Sequence, residues 1–256
     1  MSSQDLLVAR DGDVLTLTLN RPAQRNAMSP EIVGGLTAQV TRAAETGVRV
    51  IVITGTGDKA FCAGADLQTG KAFQPRPSPR APLADLLRVA RASSVPLVAR
   101  INGACVAGGM GLLGLCDLAI AAEHAKFGLP EVKVGVFPMQ VLAVLQSLVP
   151  RRRLVELCLT GELISAAEAL ALGLLNRVVP AAALDAAVAT SVERLLAAAP
   201  TALARGRYAM AAAEHMGFDE AIAFLEGQIG LQALTEDAKE GMAAFREKRK
   251  PQWPGR

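Results

Sequence analysis

Two small-residue turns and one carboxyl group are the places in this chain where chemistry could be done. The first turn is Ala63-Gly64-Ala65-Asp66, inside ITGTGDKAFCAGADL (53–67), which follows a β-branched strand. Side chains this small let the backbone turn so tightly that an N–H faces a pocket instead of its own ladder. The second is Ala107-Gly108-Gly109, inside ARINGACVAGGMGLLGLCDLAIA (99–121), where the glycines open an apolar helix. A helix start gathers unpaired N–H groups and the positive end of the dipole. One such turn alone reads as close backbone packing. Two in one core can each supply a donor, and two convergent donors form an oxyanion hole for a carbonyl oxygen that gains charge. The carboxyl group is Glu131 in FGLPEVKVG (127–135), after Pro130 and between Leu129 and Val132. On the surface it would be one half of an ion pair. Desolvated among those apolar neighbours, its pKa would rise toward the range useful for proton transfer.

A dinucleotide site is the rival reading of the first turn, because Gly55-x-Gly57-x-x-Ala60 follows a strand. That fingerprint needs a helix opening from the glycines and an acid about 20 residues on. A second turn and a proline-rich stretch come instead, so a nicotinamide enzyme is not favoured.

The elements that must hold these turns are legible from periodicity. An Asp11-Gly12 turn between LLVAR and the alternating VLTLTL predicts a hairpin. Ser29-Pro30-Glu31 reads as a helix start, with the helix running to about Glu45. VRVIVIT (48–54), PLVARI (96–101) and CDLAIAA (116–122) read as strands buried on both faces, with a short apolar helix between the last two. Strands of this kind alternating with helices predict an α/β fold with parallel pairing. From Val141 onward helical periods dominate: 140–149, 151–160, 165–172, 184–199, 201–215, 219–234 and 236–248, with one short strand at 177–179. QTGKAFQPRPSPRA (68–81) reads as a mobile surface loop of the kind that serves as a lid.

Composition excludes several classes. The 256 residues are 51% hydrophobic and 20% charged, which is incompatible with a disordered chain. No apolar run reaches the roughly 18 residues of a membrane span, and the N-terminus shows no signal region, so a cytoplasmic enzyme is expected. Cys62, Cys105, Cys116 and Cys158 form no C-x-x-C pair and read as buried free thiols. With only His124 and His215 there is little to build a metal site from, and none is expected. The net charge of +3 does not call for nucleic acid. An RNA- or protein-binding role without catalysis would lean on Arg151–Arg153 and 246–250, which read better as solvated helix faces.

Together these segments resemble the crotonase (enoyl-CoA hydratase/isomerase) superfamily. Residues 53–67 and 99–138 resemble its two oxyanion segments, and LNRPAQRNAM (19–28) its CoA-binding opening. LTGELISAAEALALGLLNRVVP (159–180) resembles its helix–loop–strand signature, and TEDAKEGMAAFREKRKP (235–251) its C-terminal helix. The resemblance implies a spiral of ββα turns with a C-terminal helical trimerisation module, divided as a core over 1–200 and a helical oligomerisation module over 201–256. It implies a homotrimer or a dimer of trimers, and no tightly bound cofactor, coenzyme A entering as part of the acyl-CoA substrate. Carried over by motif position, Ala65 and Gly108 donate to the thioester oxygen and Glu131 is the general acid/base. Arg25 and Ala27 would lie at the nucleotide end of CoA; Ala63, Asp66 and Leu67 would line the pantetheine path. Phe245 and Lys248 would reach a neighbouring subunit's CoA. Two departures from the family's two-glutamate hydratases stand out. Gly111 occupies the position of one acid, and Val136-Phe137-Pro138-Met139-Gln140 replaces a glycine-rich helix start, which implies a bulkier acyl pocket floor. The resemblance to bacterial hydratase-type chains puts hydration first. The missing acid keeps a delta-isomerase using Glu131 alone as the alternative.

Overall fold

The computed structural model describes residues 5–66 and 81–256. The chain opens with the expected hairpin: β1 (Leu6–Asp11) pairs antiparallel with β2 (Val14–Leu19), Asp11 facing Val14. Helix α1 (Pro30–Arg42) begins where Ser29 Oγ accepts the Ile32 N–H at 3.2 Å, so one orphan donor of its first turn is satisfied.

Next come three copies of one unit. β3 (Val50–Gly55), β5 (Leu97–Ile101) and β7 (Leu118–Ala122) are each followed by a three-residue strand: β4 (Ala60–Cys62), β6 (Ala104–Val106) and β8 (Lys126–Gly128). Each pair then runs into a helix: α2 (Pro82–Ala92), α3 (Gly108–Leu115), and α4 (Met139–Leu145) after a 3₁₀ turn at Pro130–Val134. The long strands build a six-stranded sheet in the order β1-β2-β3-β5-β7-β10, parallel apart from the hairpin, where β10 is Arg177–Val179. The short strands build a second sheet, β4-β6-β8-β9, with β9 (Leu163–Ser165) antiparallel at its edge. The coil of ββα turns expected from the resemblance is therefore present.

Both faces of the large sheet are covered, which is why its strands read as unbroken apolar runs. Ile51 and Ile53 of β3 face the main core with Leu17, Ile32, Phe61 and Phe127; Val50 and Val52 face a second core closed by Val188 and Val192 of α7 (Leu184–Ala197). The remaining helices are α5 (Arg151–Thr160), α6 (Ala166–Ala171), α8 (Pro200–Ala213), α9 (Phe218–Ala233) and α10 (Glu236–Glu247). Neither α8 nor α9 buries a residue within this chain, and α10 packs on both.

Five elements depart from the periodicity reading. The short strands β4, β6 and β8 were not separable from the turns beside them, and β9 carried no expectation, ending at Ser165, the N-cap of the helix expected over 165–172. Helix α2 lies just after the proline-rich stretch and carried no expectation. Of the segment 68–81, only Ala81 falls among the described residues.

Candidate active site

The three neighbouring parallel strands of the small sheet end side by side, and each delivers one of the singled-out groups just beyond its last residue. Ala65 follows β4, Gly108 follows β6 and Glu131 follows β8. Strand ends in a parallel sheet present the chain's turns together in this way.

At the first turn Gly64 has φ +90°, which a β-carbon would strain. Met28 donates its N–H to Gly64 O at 2.7 Å, and Asp66 donates to Met28 O at 3.2 Å. In that parallel bridge Ala65 directs its own N–H to the opposite side, where it meets no acceptor among the described residues. At the second turn Ala107 sits at φ 52°, ψ −128°, a costly conformation for a residue with a side chain, and donates to Gly128 O at 3.0 Å. Gly108 is the first residue of α3, and its N–H likewise has no acceptor among the described residues. The turns touch. A β-carbon on Gly64 would stand 3.0 Å from Gly108 N, and one on Gly108 would stand 3.7 Å from Ala65 N. Two free donors thus lie in adjoining turns, both with small residues where bulk would separate them.

Glu131 is 8% exposed, and its Oε2 is buried without a hydrogen-bond partner among the described residues. Burial pushes its carboxyl pKa up from the ordinary value, against a smaller downward pull from its own backbone N–H. Cys158 lies close enough that the Glu131 charge adds to burial in raising the thiol's pKa. Beyond Cys158 opens a cavity of about 630 Å³, whose walls include Phe137, Leu142 and Leu154. Of the 136–140 run expected to thicken the acyl pocket, Phe137 lines this cavity, whereas Met139 is 71% exposed and turns away. At Gly111 a β-carbon would face Val141 at 3.4 Å and Leu87 at 3.8 Å, so the place of the missing acid is walled by hydrocarbon.

The segment 20–29 ties down the first turn. Arg25 is exposed with φ 52°, and its carbonyl accepts the Ala63 N–H at 3.1 Å, while Ala27 is buried beside it. Asp66 is buried and ion-paired to Arg21 at 2.8 Å; Arg21 also reaches Asp5 and the Ala27 carbonyl. Asn26 is buried and bonds Ala60 O at 2.7 Å and the Arg21 N–H at 3.0 Å. Sequence reasoning missed Arg21 and Asn26, since polar residues between a strand and a helix look like an ordinary loop until their partners are known. Leu67 lies outside the described residues. Phe245 is 85% exposed and Lys248 is the left-handed C-cap of α10, so within one chain neither joins the Ala65–Gly108–Glu131 group.

The Gly55–Ala60 pattern leads from β3 into β4, with no helix opening from its glycines. All four cysteines are free; Cys116 is half-buried and the others buried. Both histidines are exposed, His124 donating its Nε2–H to Asp58 O at 3.0 Å. Among the described residues no three acidic, histidine or cysteine side chains cluster as metal ligands, and no helix is long and apolar enough to cross a membrane.

Comparison with known proteins identifies the family and the fold. The Enoyl-CoA hydratase/isomerase family matches residues 9–256. The chain is 35% identical over 250 residues to (E)-benzylidenesuccinyl-CoA hydratase of Thauera aromatica, covering 94% of this chain and 96% of that one. It is 32% identical to 2,3-dehydroadipyl-CoA hydratase of Escherichia coli K12, covering 98% and 99%. The crystal structure of an enoyl-CoA hydratase from Mycobacterium smegmatis superposes with a TM-score of 0.90 at 34% identity, over 97% of this chain and 98% of that one. With the family match running from residue 9 to the last residue and the spiral superposing over nearly its full length, the chain belongs to the enoyl-CoA hydratase/isomerase family.

Proposed function

We propose that this enzyme adds water across the C2=C3 bond of an enoyl-CoA thioester, with Glu131 as its one proton carrier. The observation that carries the reading is the pair of N–H groups on Ala65 and Gly108, without acceptors among the described residues, beside a buried carboxyl group. The thioester oxygen sits between the two donors, each worth roughly 3 kcal/mol as charge moves onto it. Glu131, ionised, takes a proton from water while the oxygen bonds to C3; the resulting enolate then receives that proton at C2. No metal or tightly bound cofactor takes part. Arg25 serves the CoA phosphates because a guanidinium forks onto phosphate oxygens, with Ala27 alongside. Ala63, Asp66 and Leu67 border the pantetheine, and Phe245 and Lys248 reach the CoA of a neighbouring chain. Free, mostly buried thiols fit a cytoplasmic enzyme.

The second reading is isomerisation, in which Glu131 moves a proton between C4 and C2. The hydrocarbon around Gly111 favours it, because no second acid stands there to help hold water. Purified protein assayed side by side on crotonyl-CoA and a 3-enoyl-CoA separates the two. Hydroxyacyl product from crotonyl-CoA supports hydration; conjugation of the 3-enoyl substrate without hydration replaces it with isomerisation; turnover of neither overturns both.

The division into a core over 1–200 and an oligomerisation module over 201–256 belongs to the same proposal. Tyr208, Met210, Phe218, Ile229 and Leu234, on α8, on α9 or at its C-cap, are each more than half exposed, an apolar surface that a lone chain would leave in water. A homotrimer, alone or paired into a hexamer, covers it. Light scattering at micromolar concentration is expected to give a multiple of three; a strict monomer contradicts the proposal.

A further inference from the structure

We propose, resting on the hydratase reading above, that the natural acyl group is of medium length and ends in a carboxylate that is received by Arg151. The cavity beyond Glu131 has a direction, set by α5. Arg151, Leu154, Cys158 and their neighbours Val155 and Leu159 recur at helical spacing and form one wall. Cys158 is at the catalytic end, because α5 ends at Gly161, where a β-carbon would stand 3.2 Å from Pro130 and 3.2 Å from Val132, the two neighbours of Glu131. Arg151 is seven residues back along the helix, about 10.5 Å away at 1.5 Å per residue. An extended chain advances roughly 1.2 Å per bond, so about nine bonds, counted from the thioester sulfur to a terminal carboxylate oxygen, carry an acyl tail from one end to the arginine.

The two ends differ in chemistry. Phe137, Leu142, Leu154 and Cys158 are apolar lining, and Phe137 follows Val136, whose N–H bonds the Glu131 carbonyl at 3.2 Å. Gln146, Ser147, Arg151, Glu214 and His215 are the polar lining, in which Ser147 bonds Glu214 and precedes Arg151 by four residues. Glu214 does not repel an anion there. Burial would raise its pKa, but Ser147 and Arg91 together hold its carboxyl below the ordinary range, and Arg91 neutralises it at 2.6 Å. Arg151 makes no ion pair or side-chain hydrogen bond among the described residues, so its guanidinium is the uncompensated charge of that end. A methyl-terminated tail would leave it facing hydrocarbon. A terminal carboxylate matches its fork of donors.

The test compares 2-octenoyl-CoA with 2-octenedioyl-CoA, equal in length and differing at the far end, with crotonyl-CoA as the reference for hydration itself. Wild type should show kcat/KM about tenfold higher for the dicarboxylic substrate, the effect of one solvent-accessible charge-assisted hydrogen bond. In Arg151→Gln the ratio between the two octenoyl substrates should collapse to about one, and in Arg151→Glu it should invert. Both substitutions are on an exposed helix start, and retained Tm would show that the fold is intact. Crotonyl-CoA hydration with no preference between the octenoyl substrates, or a preference that survives Arg151→Gln, overturns this inference alone. Turnover of none of the three overturns the hydratase reading with it.

Discussion

Replacing Glu131 by glutamine should lower kcat by at least about 100-fold, because the shape remains and the titrating group is gone. KM should change little, since the proposed contacts to the thioester oxygen are backbone N–H groups. The same substitution should raise stability at neutral pH. Burial holds the folded carboxyl's pKa above its unfolded value, so its contribution to stability is fullest below the unfolded value and is lost as pH rises through the folded one. At pH 7 the wild type carries an ionised, desolvated carboxylate, whereas the Glu131→Gln variant carries a neutral amide there. The variant's Tm advantage should therefore shrink as pH is lowered toward the ordinary carboxylic range. In the wild type, kcat/KM should fall on the acid side with a midpoint above 4.5. A fully active Glu131→Gln enzyme would move the proton chemistry to another residue.

The second large effect is expected from Gly109→Ala, a change of one methyl group. That methyl would stand 2.4 Å from the Cys62 carbonyl oxygen and 3.0 Å from Cys62 Cβ, both atoms of the last residue of strand β4. Backbone cannot swing aside as a long side chain can, so the start of α3 must shift away from β4. Gly108 N opens that helix and Ala65 N lies just beyond that strand, and separating them removes one proposed donor from the thioester oxygen. Loss of one such donor costs about 100- to 1,000-fold in kcat. Steady-state kinetics together with a melting curve would check it: a folded protein with normal kcat would show that the two turns need not abut.

The contrast between these two residues shows what the sequence can disclose. Glu131 was legible because a carboxyl group inside an apolar run is conspicuous in one dimension. The donor turns were legible as small-residue clusters, and the large-sheet strands as apolar runs buried on both faces. The strands β4, β6 and β8 were hidden because three residues carry no periodicity, and their pairing is long-range. Arg21 and Asn26 were hidden for a related reason: each is polar in a polar segment, and its importance lies in partners far along the chain, such as Asp66 and Ala60. The cavity along α5 could not be foreseen at all, since Cys158 read as a buried thiol and Arg151 as part of a solvated helix face.

The three strand ends of the small sheet divide labour in a manner that bears on how such a protein can change over generations. What is proposed to grip the carbonyl is main chain, which every amino acid supplies, so it is inherited intact through most substitutions as long as Gly64, Gly108 and Gly109 stay small. The proton carrier and the tail cavity are side chains, open to replacement one codon at a time. Gly111, seated against Val141 and Leu87, records a position where an acid is dispensable to the framework. A lineage built on this plan can retarget its chemistry and its substrate separately while the enolate clasp is passed on unchanged.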